Sequence, residues 1–289
     1  MESKYQYFNI GDFRCTLFTD GKHAYDNPGA LLFPNAPENE LGKALIQYGI
    51  SIDKWPTWVS DYTCLLIDTG KNKILVETGA GEMLPEAGKL VCNMQAAGIS
   101  PASIDIVLVT HAHPDHIGGA TLFPNARILM NRKEWQFWTG KPKLPRLSDD
   151  FQKLLTGMVT TLLKPLRKRV ELIDGDTEIV PGISLVETPG HTPGHMALLA
   201  TSGGEHLVYV GDALIHEIHV ETPSWSPIVD VMPEKSVQTR IRLLTEAAET
   251  GAIFFGFHMP KLGRITSNTT GFKLLPYSSE VVEKKWTST

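Results

Sequence analysis

Six consecutive residues, His111-Ala112-His113-Pro114-Asp115-His116, hold four side chains of the kinds that bind divalent cations, and they follow directly on the apolar run Ile104 to Val109. No hydrophobic core needs such a segment. Three imidazoles are costly to bury without partners, but they can be buried together with a carboxylate around a cation. The chain must therefore fold so that a strand ends where ligands converge. As the strand runs out, His111 and His113 point to one side, while Asp115 and His116, at the start of a turn or helix, reach an adjacent second position. The spacing thus allows two metal ions. Gly118-Gly119 lets backbone approach closely beside them.

Three further candidate ligands each sit just past a predicted strand: His191 after Ile183 to Thr188, Asp212 after Leu207 to Val210, and His258 after Ile253 to Phe257. Strand ends at one edge of a sheet pair form a common rim on which loops present side chains. His191 lies in Thr188-Pro189-Gly190-His191-Thr192-Pro193-Gly194-His195, so spacing alone leaves His191 and His195 both open as the ligand.

Other function classes are disfavoured by composition. The 289 residues are 42% hydrophobic and 20% charged, enough apolar content for a packed core. The net charge of −5 argues against a nucleic-acid partner. No apolar run approaches membrane-spanning length and no basic stretch leads an apolar one at the start, so neither a membrane partner nor a signal peptide is expected. Cys15, Cys64 and Cys92 are unpaired in spacing, which excludes a cysteine metal cluster and fits reduced, buried thiols in a cytoplasm.

The remaining segments read as an antiparallel start, two short strands in residues 5–19 and a hairpin of Cys64 to Asp68 with Ile74 to Glu77, followed by strands and helices in one domain over 1–289. Residues 20–60, rich in proline, read as an N-terminal excursion with a helix near Glu38 to Tyr48. Residues 131–169 read as a helical lid insertion, with ten Lys or Arg against Glu134, Asp149 and Asp150. Its Trp135, Phe137 and Trp138, together with Trp55, Trp58 and Trp225, suit an apolar pocket wall. His216, four residues past Asp212, is placed to touch substrate. His23, His206 and His219 are read as surface or packed side chains. A helix over Glu234 to Glu249 carries an apolar stripe of Val237, Ile241, Leu244 and Ala248.

The motifs HAHPDH, TPGHTPGH, the Asp of YVGDA and the His of FGFHMP resemble those of the metallo-β-lactamase superfamily over most of the chain. The resemblance implies an α+β four-layer αββα sandwich. It assigns His111, His113 and His191 to one metal, Asp115, His116 and His258 to a second, and Asp212 to the bridge, with His195 structural. THAHPDHIGG, LFPNA, GDALI, FHMPKLGRI and GFKLLPY are similar to the branch of methyl parathion hydrolase and related lactonases. The chain departs from that pattern at Glu77, where the family usually has Asp, and at Ile215, where many acyl-homoserine lactonases have Tyr. Glu77 is expected to support the ligand loops by a hydrogen bond.

The reading that follows is a dinuclear metal-dependent hydrolase in which a metal-bridging hydroxide, oriented by Asp115, attacks a lactone or other ester of a small-molecule substrate. The cofactor is two divalent ions, zinc first, with manganese, iron or cobalt as alternatives. A phosphotriester hydrolase and a glyoxalase-II-like thioesterase are the rival enzymes, the latter using the basic insertion to recognise an anionic thiol carrier. A metal-stabilised binding scaffold is the non-enzyme rival. A homodimer is compatible with the exposed aromatic segments.

Overall fold

The computed structural model describes residues 4–259, 261–269 and 271–277. Its first sheet begins with Tyr5–Ile10 (β1) and Phe13–Asp26 (β2), which reverse at Gly11-Asp12 and pair antiparallel from Tyr5 opposite Phe18 to Ile10 opposite Phe13. β2 continues against Thr57–Asp68 (β3), with an irregularity between Thr19 and Gly21, so its far arm reaches Asp26 opposite Thr57. Residues 20–26 and 57–60 are thus strand rather than excursion, which shortens the expected 20–60 segment to residues 27–56. The β-branched and aromatic residues of these arms, Tyr25, Thr57, Trp58 and Val59, favour a pleated surface over a loop. Lys73–Val76 (β4) completes the antiparallel part, and Ile106–Leu108 (β5), Arg127–Asn131 (β6) and Val170–Ile173 (β7) add parallel strands.

The second sheet comprises Thr177–Val180 (β8), Ile183–Glu187 (β9), Met196–Ser202 (β10), Glu205–Tyr209 (β11), Ile253–Phe255 (β12), Gly263–Asn268 (β13) and Gly271–Pro276 (β14), in the order β14-β13-β12-β11-β10-β9-β8. The parallel β11–β12 pair puts the ends of both strands on one rim. Helices Pro28–Leu32 (α1) and Glu38–Gln47 (α2) lie in the excursion. Leu90–Ala96 (α3) packs against β2 and Pro114–Ile117 (α4) follows β5, while Arg132–Thr139 (α5) and Asp149–Leu166 (α6) form the insertion. Ile218–Glu221 (α7) and Pro233–Thr250 (α8) belong to the second half.

One apolar core runs between the sheets, with Phe8, Ile10 and Phe18 of the first against Leu198, Tyr209 and Phe255 of the second. A second core joins Val208, Val210 and Phe254 to Leu243, Leu244 and Ala247 of α8. This is the αββα sandwich. The buried face of α8 is Ser236, Thr239, Arg240, Leu243, Leu244 and Ala247, so Leu244 of the expected stripe is buried as expected while Ile241 is 44% exposed. The helix is rotated because Arg240 is fully buried, where its donors reach the Ala213 carbonyl at 2.6 Å, the Trp225 carbonyl at 2.8 Å and Asp230 Oδ2 at 2.5 Å. Cys92 is exposed on α3, not buried; Cys15 and Cys64 are buried. Among the described residues no helix is long and apolar enough to cross a membrane.

Candidate metal centre

The ends of β5, β9, β11 and β12 deliver His111, His191, Asp212 and His258 to one rim, and the first turn of α4 adds Asp115 and His116. Pro114 at the first helical position starts that turn. The turn lies against residues 78–80: a Cβ on Gly118 would overlap the Ala80 carbonyl, and one on Gly119 the Thr78 carbonyl. The chain can pass so close only with glycine there.

His111 Nε2 lies 2.9 Å from His113 Nδ1, which in turn lies 3.0 Å from His191 Nε2. The outer side of two of these rings is occupied. His191 Nδ1 faces Asp230 Oδ1 at 3.1 Å, so its proton sits there. His111 Nδ1 is 3.1 Å from Thr110 Oγ1, whose own hydroxyl donates to Glu77, so this ring too is protonated on its outer side. Both Nε2 atoms consequently turn lone pairs toward His113. Burial, followed by neighbouring histidines, holds His111 and His113 well below the usual imidazole range, so both are neutral. Three nitrogens thus meet at hydrogen-bond distance with at most the single His113 proton to share among them, an arrangement that suits a cation.

The second group is Asp115, His116 and His258. His258 Nε2 is 3.5 Å from Asp115 Oδ2 and 3.3 Å from Asp212 Oδ2, and His116 Nε2 is 3.3 Å from Asp212 Oδ1. Asp212 Oδ2 is also 3.5 Å from His191 Nε2, so this carboxylate touches both groups. Burial opposes charge on His116, but Asp212, Glu77 and Asp115 outweigh it and raise its pKa well above the usual value. His113 Nε2, both ring nitrogens of His116 and Asp212 Oδ1 are buried with no hydrogen-bond partner among the described residues. His116 Nδ1 is 3.1 Å from Glu77 Oε1, an ion-pair contact. Such orphaned atoms are costly in a folded protein, and the two clusters fit a pair of divalent ions.

Glu77 is fully buried at a left-handed φ of 65° and accepts from Thr110, beside His116. Ser60 Oγ lies 2.7 Å from His258 Nδ1. His195 stands behind the cluster: the Asp212 backbone N–H donates to its Nε2 at 3.1 Å, so its Nδ1 donates to Thr188 Oγ1 at 2.7 Å. Burial, then His191, lowers its pKa to about 3, which keeps it the neutral acceptor that Asp212 needs.

A cavity of about 300 Å³ opens onto His113, Asp115, His191, Asp212 and His258. Its walls include Leu31, Trp58, Phe151, Leu154, Met158 and Ile215, and none of its lining residues is Lys or Arg. The insertion therefore contributes through α6. Trp135, Phe137 and Trp138 do not line this cavity. Trp138 is buried, with its indole N–H donating to Glu134 Oε1 at 2.8 Å, and Trp135 and Phe137 pack against the main core. Trp225 and His216 also lie outside the cavity wall. Trp225 is buried in a cluster with Phe33 and Ile218, and the His216 ring sits among Phe33, Tyr48, Trp55 and Trp58. An aromatic residue satisfied by packing has no reason to face a cavity, and composition could not separate the two. His23, read as an isolated side chain, does line the cavity.

Two buried carboxylates escaped the sequence reading. Glu134 accepts from the Ala112 and Gly194 N–H groups at 2.9 and 3.2 Å and from Thr192 Oγ1 at 2.6 Å, tying the His111–His113 segment to the His191 loop. Asp230 joins His191 to Arg240. Their partners are remote in sequence, and Glu134 stands in a run of charges that reads as a solvated helix face. Only the absence of Lys and Arg from the α8 face other than Arg240 hinted at an internal partner.

The metallo-beta-lactamase superfamily profile matches residues 58–256. An N-acyl homoserine lactonase of Bacillus sp is 30% identical over 164 residues, 50% of this chain and 58% of the relative. An N-acyl homoserine lactonase of Bacillus thuringiensis is 28% identical over 224 residues, 70% of this chain and 80% of the relative. The first of these matches thus spans less than two thirds of the relative's length. Among solved structures, AidC, a dizinc quorum-quenching lactonase in complex with a product, superimposes with a TM-score of 0.86 at 25% identity, covering 96% of this chain and 99% of AidC. The hydrolase AbOPH gives 0.86 and 25%, covering 97% and 99%.

Proposed function

The chain belongs to the metallo-beta-lactamase superfamily, and from that premise we propose that it is a metal-dependent hydrolase that opens uncharged lactones carrying an apolar substituent. The observation that carries this reading is the apolar cavity ending on two adjoining clusters of inward-facing donors. His111, His113 and His191 would hold one divalent ion, Asp115, His116 and His258 a second, and Asp212 both. Such ions, zinc foremost, lower the pKa of water, polarise the acyl oxygen and stabilise a leaving alkoxide.

The chain's own residues do the rest. Asp230 and Thr110 keep ring protons on the outer nitrogens of His191 and His111, leaving their inner lone pairs fixed. The Asp115 carboxylate, 13% exposed at the cavity floor, is the group placed to orient a water. Trp58, Leu154 and Met158 exclude bulk solvent and hold the apolar substituent. The similar lactonases support the substrate class. The basic residues of the insertion do not favour an anionic thiol carrier at this site, because none of them lines the cavity; Arg132 instead pairs with Asp174, Lys133 with Glu187, and Arg146 binds the Pro227 carbonyl. Proton release on ring opening of a hexanoyl-substituted lactone by zinc-reconstituted protein tests the proposal. It should be catalytic in the wild type and lost in Asp212→Ala along with bound zinc; turnover that survives both chelation and this substitution would overturn it.

A further inference from the structure

Beyond the irregularity at Thr19 and Gly21, the arms of β2 and β3 turn one face toward the centre. Cross-strand partners there are Tyr25 with Trp58, His23 with Ser60 and Gly21 with Tyr62. Ser60 holds His258, the Tyr62 ring meets the His258 ring edge-on at 5.4 Å, and Tyr25 stacks on Trp58 at 5.5 Å. The two phenols meet at their tips, with 2.6 Å between the Oη atoms.

The direction of that hydrogen bond follows from burial. Tyr62 is fully buried, and Tyr25 Oη is the only acceptor for its hydroxyl among the described residues. Were Tyr25 the donor, the Tyr62 proton would be buried without an acceptor. Tyr62 therefore donates and Tyr25 accepts, which leaves the Tyr25 O–H uncommitted. Tyr25 is half-buried and lines the cavity alongside Asp115 and His258. Among the described residues that line the cavity, Tyr25 and Tyr62 are the ones that carry hydroxyls.

We propose that Tyr25 is a substrate-contacting catalytic residue, donating its O–H to the substrate oxygen that gains negative charge, with Tyr62 as the positioning residue that fixes its direction. This rests on the ester-hydrolase reading above. No proton leaves Tyr25, since a phenol stays protonated near neutral pH and here lends a hydrogen bond without acting as an acid. A preset donor aimed at developing charge acts mainly on the transition state, whereas a packing role would not separate kcat from KM.

The test compares zinc-loaded wild type, Tyr25→Phe and Tyr62→Phe, each with measured zinc content and thermal midpoint. Both variants keep the ring and its packing. Tyr25→Phe should lower kcat on a hexanoyl lactone by about ten- to a hundredfold with KM little changed. Tyr62→Phe should cost kcat less, because it frees the Tyr25 hydroxyl to rotate without removing it. A Tyr25→Phe enzyme with unchanged kcat, or a Tyr62→Phe loss larger than that of Tyr25→Phe, overturns the assignment while leaving lactone hydrolysis standing. Calorimetric binding of the ring-opened hydroxy acid supplies an arm independent of turnover. Weaker binding to Tyr25→Phe than to wild type supports the contact; equal binding, or none to either protein, overturns it. Absence of wild-type lactone turnover would instead count against the hydrolase reading, and the binding arm would still decide for Tyr25.

Discussion

At the scale of single residues, what distinguishes this centre is how thoroughly its donors are braced from behind. Asp230 sits between His191 and Arg240, and all three are buried. Asp230→Ala strips the proton acceptor from His191 and leaves a guanidinium uncompensated. Zinc affinity should fall by about 10- to 100-fold, and stability by roughly 3–5 kcal/mol, measured by competition with a chelator and by denaturant unfolding. An unchanged zinc affinity would show that the outer hydrogen bond does not set the ring. His191 and His195 make a sharper pair. Both His195 nitrogens are engaged, by Thr188 and by the Asp212 backbone, rather than turned to the donor cluster, so His195→Ala is expected to retain much more zinc than His191→Ala by elemental analysis. The opposite order would exchange their roles.

At the scale of elements, the two insertion helices divide their work. α6 faces the cavity with Phe151, Leu154, Leu155 and Met158, while α5 turns Glu134 and Trp138 inward as a scaffold. Leu154→Ala should reduce kcat/KM for a long-chain lactone by about tenfold without zinc loss, whereas Trp138→Ala should chiefly lower stability, by about 3–5 kcal/mol. Steady-state kinetics beside unfolding curves would separate the two, and equal kinetic losses in both would erase the division. The same contrast marks how far the sequence could be read. The His- and Asp-bearing strand ends were legible because four potential ligands packed into six residues have no place in an ordinary core. Strands such as Val170–Ile173 were legible from short apolar runs. The facing of an aromatic is not a local property: Trp138 and Trp58 look alike in sequence, yet one is locked by Glu134 and the other lines the cavity. Likewise the β2 and β3 arms hide in a segment whose prolines suggest loop, and β13 and β14 carry too weak an alternation to stand out.

At the scale of the whole molecule, the rim between the sheets is built from segments far apart in the chain, and bound metal should act as a clasp across both sheets. Removing it leaves buried lone pairs facing one another and orphaned donors. A ligand that binds only the folded state stabilises it by about 2.7 kcal/mol at a hundred times its dissociation constant. Chelation is therefore expected to lower the thermal midpoint by several degrees, reversibly on zinc addition; a midpoint indifferent to zinc would mean that the clusters hold no ion in the folded protein. The substrate class is also decided at this scale, because excursion, hairpin arms and insertion close the cavity together. The most direct measurement is kcat/KM for an acyl lactone, an aryl phosphotriester and an anionic thioester on one zinc-quantified preparation. The proposed function predicts the lactone to be the best of the three, the cavity without Lys or Arg disfavouring the thioester and the similarity to lactonases favouring the lactone over the phosphotriester; a phosphotriester or a thioester turned over faster than the lactone would contradict the account.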